Sequence, residues 1–357
     1  MGTAGVPRVV GHAPADPRTR SRPPRRPRRR RYRGRVTTKR VGRAAVAALA
    51  AGVLSLVGCQ VENREDRDAD GAYVSPLDGL PGEPGQVLAV KIDNAAPARP
   101  HTGVDAAQIV YVEEVEAGLS RLVAVYAGRL PDRVGPVRSA RESDLELLRQ
   151  FDEPALAFSG AQGALLPLID EAPLHARPPE AAPDAYTRAP ERAAPHNLYL
   201  DPAALLASAP EATEVDEVAD VGHTFGDAPD GGTPVERVEA GYGNASFTFR
   251  WDGNADAWAV AMDGEETELS AATVVLQRVT VRPSEFGDGG GAVTPYTETV
   301  GSGTATVLRN GREWPAEWRR PDERRGTAFE TTDGEPFPLA PGQLWVVLLP
   351  ERPEGEQ

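Results

Sequence analysis

The sequence predicts an α/β (or α+β) N-terminal domain followed by a smaller, mainly-β C-terminal domain. Candidate strands and helices alternate between residues 76 and 210, which is typical of an α/β domain. From residue 235 to 350 the apolar runs are short, and Gly-containing turns separate many of them, which predicts strands. An acidic, Gly- and Pro-rich stretch over 211–234 is expected to link the two domains, and 351–357 to form a tail.

Apolar runs predict the first strands of the N-terminal domain at 87–93, 108–115 and 120–126. The Ala117-Gly118 break between the last two indicates a hairpin. Ser143, with Glu146 three residues later, has capping-box spacing and predicts a helix from Ser143 to residue 151. A strand at 154–159 and helices at 161–169 and 203–208 complete the domain, and Pro202 suits the first position of the last helix.

In the C-terminal domain, strand candidates follow one another at 246–251, 257–262, 273–282, 304–309, 327–331 and 344–349. All five tryptophans lie in this part of the chain. Large aromatic side chains bury much apolar area, so we expect most of these tryptophans in the core. A sugar-stacking surface is the alternative.

Residues 1–58 are predicted to be an Arg-rich leader that ends in a lipoprotein signal peptide. The apolar run 44–57 is shorter than the about 20 residues that span a bilayer, but has the length of a signal-peptide core. It ends in Leu-Val-Gly-Cys, a lipobox-like sequence in which Cys59 would receive the lipid. The alternative is a buried helix with an incidental cysteine. Residues 60–75 are charged and lack apolar periodicity, so 59–75 is expected to be a flexible tether.

Charge is distributed unevenly along the 357 residues, whose formal net charge is −14. Residues 1–43 hold fifteen of the 39 basic residues and one of the 53 acidic residues, a net of +14. The rest of the chain, at −28, repels phosphate backbones, so we expect no nucleic acid among its partners. The basic arm could bind an anionic surface, or translation could start within residues 1–43, for example at Val36 or Val41.

Two arginines precede the predicted helix at 143. Arg138, Ser139 and Arg141 would stand at a helix N-terminus, where backbone N–H groups favour an anion. Arginine binds carboxylates and phosphates through two parallel hydrogen bonds. The sequence therefore predicts an anion-binding cleft, with Asp93 and Asn94 at a strand end and Asn197 also lining it. The alternative is structural, with the arginines paired to Asp93 or to the glutamates at 113, 114 and 116.

A second interpretation is enzymatic. His196 lies on a loop and could move a proton, while Glu113 or Asp93 could serve as acid or base. Glu113 and Glu116 could pair for such work, and Arg121 on the neighbouring strand could instead neutralise them. The single cysteine excludes an internal disulfide and Cys-rich metal sites, and the histidines lack HExxH spacing. We therefore expect neither a metal nor a cofactor.

Several of these segments occur in an order that resembles the YerB-type bacterial lipoprotein family, domain of unknown function 3048. They are VKIDNAAPARPHTGV, AQIVYVEEVEAGLSRLVAVY, VGPVRSAR, APHNLY and LAPGQLWVVLLP. The resemblance covers about residues 75–350 and implies a role in the bacterial cell envelope without a defined activity. It carries over motif positions but no catalytic roles: Asp93, Asn94, Arg99, Pro100, Glu113, Arg121, Arg138, Ser139, Arg141, His196 and Asn197. RESDLELLRQF, after the arginines, is more charged than the family pattern, so ligand preference could differ.

Together these features predict a lipoprotein on the outer face of the cell membrane, anchored through lipidated Cys59. Its predicted role is that of a binding or accessory protein, with peptidoglycan or an envelope protein as partner. A cell-envelope hydrolase that uses an acidic residue and His196 is the alternative.

Overall fold

An eleven-stranded mixed sheet runs through both halves of the described chain. The structure, a computed structural model, describes residues 72–287 and 293–351; the predicted leader, Cys59 and most of the predicted tether lie outside these ranges. The strand order is β19-β18-β17-β14-β21-β2-β3-β1-β4-β5, with β9 paired to β18. A second sheet has the order β10-β11-β12-β13. In chain order the elements are β1 (Leu88–Asp93), β2 (Ile109–Glu114), β3 (Ser120–Tyr126), α1 (Glu142–Leu148), β4 (Ala155–Ala157), α2 (Leu166–Glu171), β5 (His175–Arg177), β6 (Tyr186–Arg188), β7 (Leu198–Leu200), α3 (Pro202–Ala207), β8 (Thr224–Phe225), β9 (Thr233–Pro234), β10 (Arg237–Tyr242), β11 (Ala245–Asp252), β12 (Ala257–Met262), β13 (Glu265–Ala271), β14 (Thr273–Val279), β15 (Val281–Pro283), β16 (Pro295–Thr297), β17 (Gly301–Arg309), β18 (Arg312–Arg320), β19 (Ala328–Thr331), β20 (Pro338–Leu339) and β21 (Leu344–Pro350).

The fold class is as predicted: helices and a mixed sheet come first, and mostly strands follow. The last strand, β21, lies between β14 and β2 and runs parallel to both. The sheet therefore passes without a break from the N-terminal strands to the C-terminal ones. The predicted boundary at 211–234 stays a prediction; in that segment Val215 and Val221 are buried.

Strand β1 is buried along its whole length, because both faces of the sheet are covered. Leu88 and Val90 pack in one core with Phe249 and Trp258 of the second sheet. Ala89 points to the opposite face, where the core includes leucines of α1. By the same alternation Lys91 and Asp93 point to the α1 face.

The first two helices are shorter than predicted, and Ser143 is not a cap. The Asp144 carboxylate accepts the Arg141 backbone N–H at 2.7 Å, whereas the Ser143 hydroxyl accepts the Thr297 N–H at 2.9 Å. The predicted helix at 161–169 forms only over Leu166–Glu171. In α3 the Asp201 carboxylate accepts the Ala204 N–H at 2.9 Å, and the prediction that Pro202 opens this helix is confirmed.

The apolar strands agree with prediction, and β2 and β3 form the predicted antiparallel hairpin. The predicted strand at 273–282 divides into β14 and β15, which belong to different sheets. Prediction missed β10, β13 and β18, since their exposed faces carry charged residues in place of an apolar run. Four of the five tryptophans are buried, as expected; the half-buried one is Trp251. Within 72–287 and 293–351 no helix is both long and apolar enough to cross a membrane.

Candidate functional site

The site lies where two parallel strands end. Strand β4 pairs with only the first half of β1, opposite Leu88–Val90. The extended segment 136–138 takes its place beside the second half, where the Asp93 N–H donates to the Pro136 carbonyl at 2.9 Å. The Arg138 N–H donates to the Lys91 carbonyl at 2.8 Å. This pairing brings Arg138 next to Asp93 at the carboxyl end of β1.

Gly135 allows this segment to lie close to β7. A Cβ atom built on it would stand 2.8 Å from the Tyr199 ring and 2.9 Å from the Leu198 carbonyl oxygen. Its φ of +155° is one that other residues rarely adopt. The glycine of the Val-Gly-Pro-Val-Arg segment therefore has a structural cause, because it lets the chain that carries Arg138 reach the end of the sheet.

Asp93 brings together two of the predicted site residues. Nδ1 of His196 lies 2.8 Å from Asp93 Oδ2. Nε of Arg138 lies 3.2 Å from the same oxygen, close enough for an ion pair but outside hydrogen-bond geometry. The Asp93 side chain is 4% exposed, against 20% for His196 and 27% for Arg138. Because the carboxylate can only accept, Nδ1 carries the proton and Nε2 is left for another partner.

Arg141 does not join this group. Its Nε and Nη2 donate to the two carboxylate oxygens of Glu116, each at 2.7 Å, which makes a bidentate ion pair. The Thr294 hydroxyl also donates to Glu116, at 2.6 Å. Burial alone would raise the pKa of Glu116, but these hydrogen bonds from Arg141 and Thr294 lower it to about 2. The two motif arginines therefore pair with two different carboxylates.

Arg121 lies between these two ion pairs. On β3 it stands opposite Asp93 of β1 and Glu113 of β2. Its side chain is buried, and its Nη1 donates to the Ser139 carbonyl at 3.2 Å. Within the described residues no carboxylate lies within 4.0 Å of its guanidinium, unlike those of Arg138 and Arg141.

Burial is the largest of the causes that lower the pKa of Arg121, to about 10, and the positive charges of Arg141 and Arg138 add to it. The carboxylates of Glu116 and Asp93 oppose the shift. Arg141 also donates to the Ser139 carbonyl, at 3.3 Å, so this oxygen accepts hydrogen bonds from the guanidinium groups of both Arg121 and Arg141. The direct ion pairs of Glu113 and Glu116 are with Lys91 and Arg141, so Arg121 acts on Glu116 only at longer range. Arg121 was predicted as a motif position and a neutralising charge, but not as one of the ligand-binding residues. The sequence feature that indicates a special role for Arg121 is its position as the one charged residue in the mostly apolar strand β3.

Glu113 is not placed to act as an exposed acid or base. It is 2% exposed and accepts a hydrogen bond from Nζ of Lys91, which also donates to Asp144 at 2.7 Å. Lys91 and Asp144 are fully buried. Burial lowers the pKa of Lys91 to about 8, although Asp144 opposes the shift. Glu113 therefore belongs to a buried ion network, whereas Glu116 pairs with Arg141.

The two predicted asparagines hold loops in place. Asn94 donates to the Ser120 hydroxyl at 2.9 Å and accepts from Arg99 Nε at 3.1 Å. Asn197 accepts from Arg188 at 2.8 Å and fixes the loop that carries His196. Ser139 contributes its carbonyl oxygen, as described above. These three residues therefore position the site and its arginines.

Two cavities lie near these residues. A cavity of about 210 Å³ opens beside Ser139, Arg141 and Glu116, with Gln162 and Phe286 on its other walls. Of the three arginines, only Arg141 lines it. A larger cavity, of about 610 Å³, lies between residues 96–105 and β13 and is lined by neither Arg138 nor His196. Among the residues that the structure describes, no cluster of three His, Cys, Asp or Glu side chains could hold a metal ion.

Family comparisons match both parts of the chain. Residues 79–215 match the N-terminal domain of the protein family of unknown function DUF3048, and residues 238–346 match its C-terminal domain. A Bacillus subtilis protein named "Putative lipoprotein YerB" is 25% identical over 319 residues, which cover 86% of this chain and 95% of the relative.

A solved structure is also similar. The crystal structure of YerB from Bacillus subtilis has a TM-score of 0.66 and 21% identity. The match covers 78% of this chain and 97% of the solved one. At this identity the likeness shows a shared fold.

Proposed function

The chain belongs to the DUF3048 family, and from this premise we propose that it is a lipid-anchored cell-envelope protein that binds an anionic group at its arginine site. The arginine site comprises Arg121 and Arg141, which both donate to the Ser139 carbonyl, and Arg138, which pairs with Asp93. The observation that carries the proposal is the buried Arg121 guanidinium, which has no carboxylate within 4.0 Å among the described residues while both neighbours have one. Asp93 and Glu116 offset the charge of Arg121 only in part, because burial and the neighbouring guanidinium groups outweigh them. An anionic ligand would complete this compensation.

A carboxylate is the anion that fits best. The cavity beside Arg141 has about 210 Å³, room for a group the size of an amino-acid residue but not for a long polymer. Arginine forks match the geometry of carboxylates. Outside the membrane, stem peptides of peptidoglycan and acidic side chains of envelope proteins present such groups. We therefore propose a peptidoglycan stem carboxylate or a partner protein's carboxylate as the ligand.

The anchor is proposed from the leader and the relative's name. Cys59 follows the apolar run 44–57, and YerB is named as a lipoprotein. We propose that the mature protein begins at lipidated Cys59 on the outer face of the cell membrane. Mass spectrometry of the purified N-terminus should find a diacylglyceryl group on Cys59, and Cys59→Ser should move the protein from the membrane to the soluble fraction. An unmodified Cys59 in membrane-bound protein would contradict the proposed lipid anchor.

Binding to purified sacculi tests the anion site. Lipidated protein in detergent should co-sediment with sacculi, and Arg138→Ala should weaken this at least fivefold, since charged hydrogen bonds contribute about 1.5–3 kcal/mol each. Arg319→Ala is the matched control, because Arg319 is exposed and lies far along the sheet on β18. Equal retention of the Arg138→Ala variant and the wild type would count against the site.

A hydrolase is the second candidate, supported by the Asp93–His196 pair. An aspartate that holds Nδ1 of a histidine leaves Nε2 to take or give a proton. Among the described residues no hydroxyl or thiol is hydrogen-bonded to that nitrogen, so water would be the nucleophile. Release of soluble fragments from sacculi, lost in His196→Ala, would favour this candidate; no release by the wild type would favour the binding role.

A further inference from the structure

Strand β13 borders the larger cavity along its edge. Within the described chain it pairs only with β12, so its other side is an open sheet edge. Five consecutive residues, Glu265–Leu269, line the cavity of about 610 Å³. Side chains of a strand alternate between the two faces of a sheet, so consecutive residues border one cavity only where that cavity follows the edge. The pairing of β13 with β12 is regular at Glu265 and Glu266 and shifts register between Ala259 and Ala261, where the Leu269 N–H donates to the Thr267 hydroxyl at 3.2 Å. The backbone groups available to a ligand are therefore those around Glu265 and Glu266. We call this cavity the β13 groove.

The opposite wall of the β13 groove is residues 96–105, and hydrogen bonds hold it in place. Arg99 donates to Asp263 Oδ2 at 2.7 Å and to the Met262 carbonyl at 3.2 Å, which ties the wall to the turn before β13. At the other end Gln343 donates to the carbonyls of Val104 and Ala107, at 2.8 and 2.7 Å. Because both ends are fixed, the groove is formed before any ligand enters it.

The rim of the β13 groove is acidic. It carries Glu265, Glu266, Glu268 and Asp105. Glu266 pairs with Arg250 at 3.2 Å, but the other three carboxylates have no basic partner within 4.0 Å among the described residues. Arg99 does not offset them, since Asp263 already pairs with it. The groove therefore favours a basic ligand.

We propose that the β13 groove binds an extended, basic peptide segment of another protein, which adds a fifth strand to the β10–β13 sheet. Strand addition takes its affinity from main-chain hydrogen bonds and its selectivity from alternate side chains. The peptide main chain would pair with β13 at Glu265 and Glu266, and the rest of the peptide would lie against the groove that Thr267–Leu269 border. A second copy of this chain does not fit, because two β13 edges would set glutamates against glutamates. This proposal is independent of the arginine site.

Fluorescence anisotropy with the lipidated full-length protein in detergent tests the proposal. The probe is a fluorescein-labelled nonapeptide of alternating lysine and valine, and its counterpart replaces lysine with glutamate. The lysine peptide should bind and the glutamate peptide should not. The double variant Glu265→Gln/Glu268→Gln should weaken binding about fivefold, since each exposed pair contributes little. Glu236→Gln/Glu239→Gln, at the opposite edge of the same sheet, is the control and should bind like the wild type.

Backbone methylation separates strand addition from charge attraction. A strand uses only one of its two edges to pair, so N-methylation of one set of alternate residues should abolish binding and methylation of the other set should leave it unchanged. No binding of the lysine peptide, equal binding of both methylated peptides, or a concentration-dependent dimer blocked by the Glu265/Glu268 variant would each overturn the proposal.

Discussion

Oδ2 of Asp93 lies 2.8 Å from Nδ1 of His196, across 103 positions of sequence. The same oxygen faces Arg138, so one buried carboxylate holds a histidine and an arginine at the end of β1. In the proposed binding role Asp93 competes with the ligand for Arg138. In the hydrolase role Asp93 orients His196.

Asp93→Asn separates these roles. The variant keeps the shape of the side chain and removes its charge, so Arg138 is freed for a ligand. We expect affinity for a carboxylate ligand to rise about fivefold, because a competing negative charge close to the site is lost. Calorimetric titration with muropeptides measures this change. A loss of turnover on sacculi without a gain in affinity would favour the enzyme.

Arg121→Met tests whether the buried guanidinium costs stability. Methionine fills similar space without a charge, and Arg141 still donates to the Ser139 carbonyl. We expect the free energy of unfolding to rise by about 1 kcal/mol, since the desolvation that is relieved exceeds the attraction to Glu116 and Asp93 that is lost. Urea denaturation at pH 7 gives the value. A loss of more than about 2 kcal/mol would contradict the description of Arg121 as unpaired.

Lys91→Met should have the opposite effect. It leaves the buried carboxylates of Glu113 and Asp144 without their cation, which should cost about 3–5 kcal/mol. The double variant Lys91→Met/Glu113→Leu should recover most of this loss, because Asp144 still accepts the Arg141 N–H. Chemical denaturation of the three proteins checks both values, and a double variant no more stable than Lys91→Met would refute the network.

Glu116 should produce acid sensitivity. Its pKa is about 2 in the folded protein, against 4.5 as the ordinary value, so the folded state binds fewer protons between these pH values. The stability from this group is present above pH 4.5 and is lost as the pH falls towards 2. Wild-type protein should therefore lose more stability between pH 5 and pH 3 than Glu116→Gln does. Equal losses by the two proteins would show that the Arg141–Glu116 pair does not control this pH range.

The apolar strands could be predicted from the sequence because buried strands are continuous apolar runs. Strand β13, Glu-Glu-Thr-Glu-Leu-Ser-Ala, could not, since four of its seven side chains are exposed and its charges obscure the alternation. The Ser143 cap failed for a different reason. Its hydroxyl is used by Thr297, 154 positions away, and local spacing carries no information about such a contact.

The candidate site was predicted residue by residue but not in its pairing. Arg138, Asp93 and His196 were each identified, and the fold brings them together. The pairing of each basic side chain with a carboxylate is determined by the three-dimensional fold, which local sequence does not reveal. Arg141 pairs with Glu116 and Lys91 pairs with Glu113. Arg121 lies near both pairs without a carboxylate within 4.0 Å among the described residues. Arg121, on which the proposed ligand site depends, was therefore predicted as a motif position and a neutralising charge but not as a ligand-binding residue.

Titration of muropeptides into lipidated protein tests the central claim most directly. Calorimetry should detect binding to the wild type, loss of at least tenfold in affinity for Arg121→Met, and unchanged affinity for Arg319→Gln. Binding should also weaken when the stem carboxylates are amidated. Equal affinity of wild type and Arg121→Met for the same muropeptide would contradict the account.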